Sequence, residues 1–211
     1  MPAFAHEMSA PIPREQITGV VLAGGRGTRM GGVDKGFVLF DGRPLVEHVI
    51  ERLRPQVGAL LVNANRNHEL YARLGFPVVP DLRGGYLGPL AGIASGLKAA
   101  TTPYVVTAPC DSPLIGNDLV ARLAEALMHD QAELAVADDG SRQHPVFLLL
   151  RRELLPSLLA FLEAGERKID RWFARHRVAP AYFRDTPRAF LNLNSAEECA
   201  ALEAHMKKPE A

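Results

Sequence analysis

The chain has 211 residues, 47% of them apolar and 23% charged, the proportions of one ordinary globular domain long enough to bury a sizeable core. Lys+Arg and Asp+Glu balance at 24 each, which excludes a chain-wide field drawing the protein to nucleic acid or to an anionic membrane. No stretch approaches the ~20 apolar residues of a membrane span, and Cys110 and Cys199 lie far apart without metal-site spacing, so reduced thiols and a cytoplasmic location are expected.

Residues 1–14 carry three prolines but no apolar signal core, and are expected to form a loose tail, with Met8 an alternative start. An apolar run over 17–23 predicts a buried strand. It breaks into residues 24–36, which hold six glycines, Arg26, Arg29 and Lys35. Glycine lets backbone N–H groups turn through positive φ and approach an anion closely, and the three cations add charge around that cradle, so the loop suits a polyphosphate. It is not a P-loop, because Gly36 follows Lys35 where a Ser or Thr is needed. Nor is it a dinucleotide fingerprint, because Met30 stands at the sixth position and Gly31–Gly32 interrupt any following helix.

Residues 44–53 read as a helix, with Leu45, Val49 and Leu53 on one face and Pro44 suited to its first turn. A strand over 57–62 ends in Asn63-Ala64-Asn65, a short helix over 69–74 stops at Gly75, and a brief strand over 76–80 ends at Asp81. After a loop opened by Gly84–Gly85, Gly88 begins a small-residue helix running to Ala100 that can bring its N-terminus close to a ligand. A strand over 104–108 ends in Pro109-Cys-Asp111-Ser-Pro113; a helix over 118–128 and strands over 133–137 and 145–150 follow. Helices are predicted over 152–163, 169–176 and 196–206, with a strand over 179–183 and the extended segment 190–194 between them. Trp172 and Phe173 read as core. Ser195 is the expected N-cap of the last helix, with Glu198 as its capping-box partner.

Alternating strands and helices imply a single α/β domain over 15–206, with a mainly parallel sheet flanked by helices on both faces and a short tail over 207–211. In such a sheet ligands bind beyond the carboxyl ends of the strands. That is where the Gly loop, Asn63, Asp81 and Asp111 fall. Read from the residues alone, Asp111 is equally a Mg²⁺ ligand and a turn cap, and Asn63 and Asp81 are a strand-end amide and a capping carboxylate.

The run L-A-G-G-x-G-x-R-M-G-G-x-D-K, as Leu22 to Lys35, resembles the signature of nucleotidyltransferases that couple an NTP to a phosphorylated acceptor. Its Gly-Gly-Val-Asp-Lys ending narrows the resemblance to the molybdenum cofactor guanylyltransferases, and the likeness spans residues 17–203. It implies a three-layer Rossmann-like fold, Mg²⁺ as cofactor, GTP and molybdopterin as substrates, and release of pyrophosphate. It also implies transient contacts with cofactor-synthesis proteins and recipient molybdoenzymes. Carried onto this sequence, Asp111 holds the metal, Lys35 and Arg29 act on the phosphates, and Leu22, Ala23, Gly24, Gly25, Asn63 and Asp81 contact the nucleotide. Gly92, His144, Asn192 and Asn194 fall on the acceptor side. Three alternatives stay open: a molybdopterin cytidylyltransferase, whose loop reads L-A-A-G; a sugar-phosphate nucleotidyltransferase, because Gly25-Arg-Gly-Thr-Arg29 fits that loop too; and a silent nucleotide-binding regulator.

Overall fold

The computed structural model describes residues 11–25, 34–82 and 88–206. Strand β1 (Ile17–Leu22) shows why helices must cover both faces. Its side chains alternate by the two-residue period of a strand, Ile17 and Val21 toward one apolar cluster and Val20 toward another, and all three are buried. Burying a sheet on both sides produces the continuous apolar runs seen in the sequence.

The remaining elements are β2 (Leu39–Phe40), β3 (Arg43–Pro44), α1 (Leu45–Leu53), β4 (Ala59–Asn63), α2 (His68–Ala72), β5 (Val78–Val79), α3 (Pro89–Ala99) and β6 (Tyr104–Pro109). They continue with α4 (Leu119–His129), β7 (Leu134–Asp138), β8 (Gln143–Arg151), α5 (Leu155–Glu163), α6 (Ile169–Phe173), β9 (Val178–Tyr182) and α7 (Ala196–Met206). Seven strands form one sheet in the order β5-β4-β1-β6-β8-β7-β9. Only β8 runs against its neighbours, β6 and β7; the other pairings in this sheet are parallel. The chain moves from β1 out to β4 and β5, then crosses back through α3 to β6 on the other side of β1. That reversal opens a crevice above the ends of β1 and β6, where Leu22 stands opposite both Asn63 and Pro109.

Helices α1 and α4 cover one face with Val46, Val49, Leu53, Leu119, Leu123 and Leu127. Helices α3, α5 and α6 cover the other with Ile93, Leu97, Leu158, Phe161 and Trp172, so Trp172 and Phe173 are core as expected. Helix α3 lies very close to β1. A Cβ on Gly96 would stand 2.7 Å from Val20 Cγ2, so the small residues of this helix are what its packing distance requires.

Five local readings need correction. The hairpin β2–β3 was not expected, although Asp41-Gly42 is its turn, with φ of 48° and 72° as a type I′ turn demands. Pro44 ends β3 as the N-cap of α1, one residue before the helix that it was expected to open. The helix expected over 152–163 begins with a 3-10 turn, Arg152–Leu154, before α5, and the one expected over 169–176 stops at Phe173. The capping box of α7 is half formed: Glu198 N–H donates to Ser195 Oγ at 3.1 Å, but the Glu198 carboxylate accepts from Asn194 N at 2.6 Å. The hairpin matters because Val38, Phe40 and Leu45 form a small separate core with Leu193 and Cys199, which docks the C-terminal segment onto the front of the domain.

Gly96→Ala is expected to destabilise the protein by about 1–3 kcal/mol, the range for overpacking, because the new Cβ meets both methyls and the Cβ of Val20, a β-branched side chain restricted at χ1. Urea unfolding measures this, as a lower midpoint at unchanged slope.

Candidate active site

Three parallel strands deliver their carboxyl ends to one crevice, and each ends on a residue that can bind. After β1 come Ala23, Gly24 and Gly25; β4 ends at Asn63; after β6 come Cys110 and Asp111. The backbone ties these ends together. Ala23 N donates to Asn63 O at 2.8 Å, and Cys110 N donates to Leu22 O at 3.0 Å. A cleft of about 330 Å³ opens there, lined by Leu22, Gly24, Gly25, Asn63 and Asp81, by Gly88, Pro89 and Gly92 at the start of α3, and by Pro109 and Val146.

An amide–carboxylate network shapes one wall. Asn63 Nδ2 donates to Asp81 Oδ1 at 3.0 Å and to Val79 O at 3.2 Å. Asn65 Nδ2 donates to Asp81 Oδ2 at 2.8 Å and to Gly24 O at 3.2 Å, while Asn65 Oδ1 accepts from Asp81 N at 2.9 Å. Both Asp81 oxygens are therefore aimed before any ligand arrives. Two glycines make room for this arrangement. A Cβ on Gly92 would stand 2.4 Å from Asn63 Oδ1, and one on Gly24 would stand 2.9 Å from Asn65 Nδ2.

The other side of the site is built on Asp111, which is only 7% exposed. Its Oδ2 lies 3.3 Å from Lys35 Nζ. Its Oδ1 is buried and has no hydrogen-bond partner among the described residues. A buried acceptor left unpaired costs about 1–3 kcal/mol, so a feature like this calls for a positive partner that arrives later. Burial pushes the Asp111 carboxyl above its usual range, against the smaller opposite pull of Lys35. The neighbouring Cys110 thiol is raised well above its usual range by burial, which leaves it protonated and unreactive at neutral pH.

The C-terminal segment closes over this pair. Leu193 N donates to Asp111 O at 2.8 Å, Ser112 Oγ donates to Asn192 Oδ1 at 2.7 Å, and Lys35 Nζ donates to Asn194 Oδ1. Asn192 thus meets the Asp111 turn through Ser112, and Asn194 meets Lys35, the partner of Asp111. No cluster of three His, Cys, Asp or Glu side chains capable of holding a metal exists among the described residues. A single carboxylate with a free oxygen suits Mg²⁺, which keeps several waters and takes the rest of its shell from phosphate oxygens.

Leu22, Gly24, Gly25, Asn63, Asp81 and Gly92 line the cleft together, and Ala23 is buried beside them. Lys35, Asp111 and Asn194 form a second, connected group. Arg26 and Arg29 lie outside the described residues. His144 lies elsewhere in its contacts: its Nε2 is 2.7 Å from Asp139 Oδ2 and its ring stacks on Phe190 at 4.5 Å between centroids. Phe190 begins the segment that carries Asn192 and Asn194. Asn65 was not singled out from the sequence, yet it stands two residues after Asn63, the spacing that puts two side chains on one face of extended chain.

The profile of the family described as the MobA-like NTP transferase domain matches residues 19–180. A molybdenum cofactor guanylyltransferase of Shewanella sp. (strain MR-4) is 51% identical over 193 residues, which cover 92% of this chain and 98% of that protein. One of Methylibium petroleiphilum is 52% identical over 200 residues, covering 91% and 98%. Among solved structures, the molybdopterin-guanine dinucleotide biosynthesis protein A of Archaeoglobus fulgidus matches with a TM-score of 0.75 at 22% identity, over 90% of this chain and 98% of that one. A 4-diphosphocytidyl-2C-methyl-D-erythritol synthase of Anaerococcus prevotii matches with a TM-score of 0.69 at 12% identity, over 91% and 96%. At these identities the two structures show a shared fold.

Because its folded-state pKa is raised, Asp111 supports folding fully at pH below the ordinary carboxylate range, and that contribution is lost as pH rises through the raised value. Without ligand or divalent cation, Asp111→Asn is therefore expected to melt at higher temperature than wild type at pH 8, with the gap narrowing toward pH 4. Calorimetry in EDTA measures it. A variant less stable than wild type at pH 8 would show that the Lys35 pair outweighs the burial of the charge.

Proposed function

The chain belongs to the MobA-like NTP transferase family, and we propose that it is the guanylyltransferase that joins GMP from GTP to the terminal phosphate of molybdopterin, releasing pyrophosphate and forming the guanine dinucleotide cofactor. The observation that carries this reading is the buried Asp111 carboxylate, with one oxygen unpaired among the described residues and the other held to Lys35, two residues after Pro109, which lines the glycine-rich cleft. The names of its half-identical relatives supply the base and the acceptor.

In this reading Leu22, Ala23, Gly24, Asn63 and Asp81 face the guanine and ribose. Asp81 accepts from donors on the purine edge or from a ribose hydroxyl, and its two oxygens are already aimed by Asn63 and Asn65. The first turn of α3, at Gly88, Pro89 and Gly92, lines the same cleft, and the positive end of this helix faces the anionic nucleotide there.

Mg²⁺ fits the free oxygen of Asp111 and, when bound there, neutralises charge on the triphosphate. The chain's own residues do the rest. Lys35, held between Asp111 and Asn194, gives its ammonium to phosphate oxygens of the nucleotide and balances the charge that builds on the departing pyrophosphate. The nucleophile is a phosphate oxygen and already an anion, so no side chain has to remove a proton. Catalysis is then chiefly alignment and charge balance. Asn192, beside the Asp111 turn, and Asn194, on Lys35, stand where an acceptor phosphate has to come. His144 acts one step away, through Phe190, on the course of that segment.

No helix among the described residues is long and apolar enough to cross a membrane, and we place the activity in the cytoplasm. Passing on a labile cofactor there requires transient contact with synthesis proteins and with recipient apo-enzymes.

Calorimetry with GTP, CTP and ATP, with and without Mg²⁺, tests the reading on wild type and Asp111→Ala. The expected result is GTP-selective binding whose Mg²⁺ dependence disappears in the variant, with turnover of molybdopterin and GTP reduced by about 10²–10³-fold. Preference for CTP would reassign the base, and full turnover by Asp111→Ala would remove the metal role.

A further inference from the structure

Lys35 acts at the end of a flexible four-carbon stem, so its usefulness depends on how firmly its backbone is placed. It opens the 3-10 turn Lys35–Phe37, and Asp34 is the N-cap, with Phe37 N donating to Asp34 O at 3.0 Å. Asp34 is itself buried, and three donors from two different parts of the chain hold its carboxylate. Gly36 N and Tyr71 Oη donate to Oδ1 at 3.2 and 2.7 Å, and Asn67 Nδ2 donates to Oδ2 at 2.9 Å. Tyr71 is 0% exposed. Burial raises the Tyr71 phenol far above its usual range, so it remains a donor at any physiological pH. Its approach is close enough to dictate sequence: a Cβ on Gly36 would stand 2.5 Å from Tyr71 Oη. Asn67 takes a left-handed backbone conformation, φ 51°, immediately before α2.

Asn67 and Tyr71 follow directly on Asn63 and Asn65, the amides that aim Asp81. One run of nine residues therefore holds the nucleotide wall at its start and the Lys35 turn at its end. We infer that Tyr71 and Asn67 are positioning residues for Lys35, which act through Asp34 to hold its ammonium against Asp111 and Asn194 and to fix its distance from the nucleotide wall. The inference rests on the nucleotidyl-transfer reading above for its catalytic consequence, but not for the placement itself.

A double-mutant cycle tests it on the full chain. Pyrophosphate release from GTP and molybdopterin is measured for wild type, Tyr71→Phe, Lys35→Ala and the double variant. Tyr71→Phe keeps the ring, which packs on Phe37 at 4.7 Å between centroids, and removes only the donor. It is expected to lower kcat about tenfold in the wild-type background and less than twofold once Lys35 is gone, the non-additivity of two groups that act as one. Asn67→Gly, which keeps the left-handed backbone accessible, provides a second variant and is expected to show the same pattern. Equal losses in both backgrounds, or unchanged kcat, would overturn the inference. Trace acetylation of Lys35, read by mass spectrometry against the exposed Lys98, reports placement without turnover. Labelling of Lys35 should rise several-fold in Tyr71→Phe, and unchanged labelling would overturn the inference as well. Increased labelling in a protein whose wild type releases no pyrophosphate would uphold the placement and refute the transfer reading instead.

Discussion

A carboxylate buried at a strand end, with one oxygen committed to a lysine and the other without a partner among the described residues, is the constraint around which this protein is arranged. Ionised Asp111 is unfavourable where it stands, because the fold removes its water and, among the described residues, returns one ion pair, at 3.3 Å. Such a group persists only if the surroundings over-determine it. Here the Asp111 backbone is held on one side by β6, which lies in the middle of the sheet, and on the other by Leu193 N. The same over-determination gives the site its chemistry. In the proposed reading, a carboxylate that cannot relax toward solvent keeps that oxygen available to a cation, close to the topological switch point of the sheet.

Around that point the chain solves a problem of distance. Lys35, Asp111 and Asn194 are 76 and 83 residues apart in sequence, yet one ammonium touches both partners. Two devices bring them together. The sheet places β1 and β6 side by side, so their loops emerge together. The hairpin β2–β3 and helix α7 share the small core of Val38, Phe40, Leu45, Leu193 and Cys199, which pulls the C-terminal segment across the front of the sheet. A further bond, Asp41 N to Glu203 Oε1 at 2.7 Å, ties the hairpin's turn to α7 itself. Apolar packing some way from the reaction thus sets the position of Asn194.

Close approach is the second theme. Gly24, Gly36, Gly92 and Gly96 each stand where a Cβ would meet another group at under 3 Å. Gly96 brings α3 against β1, Gly92 brings its first turn to Asn63, and Gly24 and Gly36 let Asn65 and Tyr71 reach their partners. These glycines are needed for space rather than for a left-handed backbone, since none of the four has positive φ. The fold uses the room to pack amides and carboxylates against each other, and the cleft is the space that remains.

Several features were legible in the sequence because they are local. Buried strands announce themselves as apolar runs, and helix α1 by its spacing of Leu45, Val49 and Leu53. The order of strand and helix along the chain implied a mainly parallel sheet, and the strand-end rule then located Gly24, Asn63, Asp81 and Asp111. The Asp41-Gly42 turn was written there too, but its strands are two residues each and have no periodicity to read. Other features required the folded chain. The antiparallel setting of β8, the free oxygen of Asp111, the contact of Lys35 with Asn194, and the clamp of Tyr71 and Asn67 on Asp34 all join residues distant in sequence. Residue type and spacing determine which local structures are favourable, and so what chemistry a segment can carry. Which segments meet, and which buried oxygen is left without a partner, is decided by packing among all of them at once, and only the tertiary structure contains that outcome.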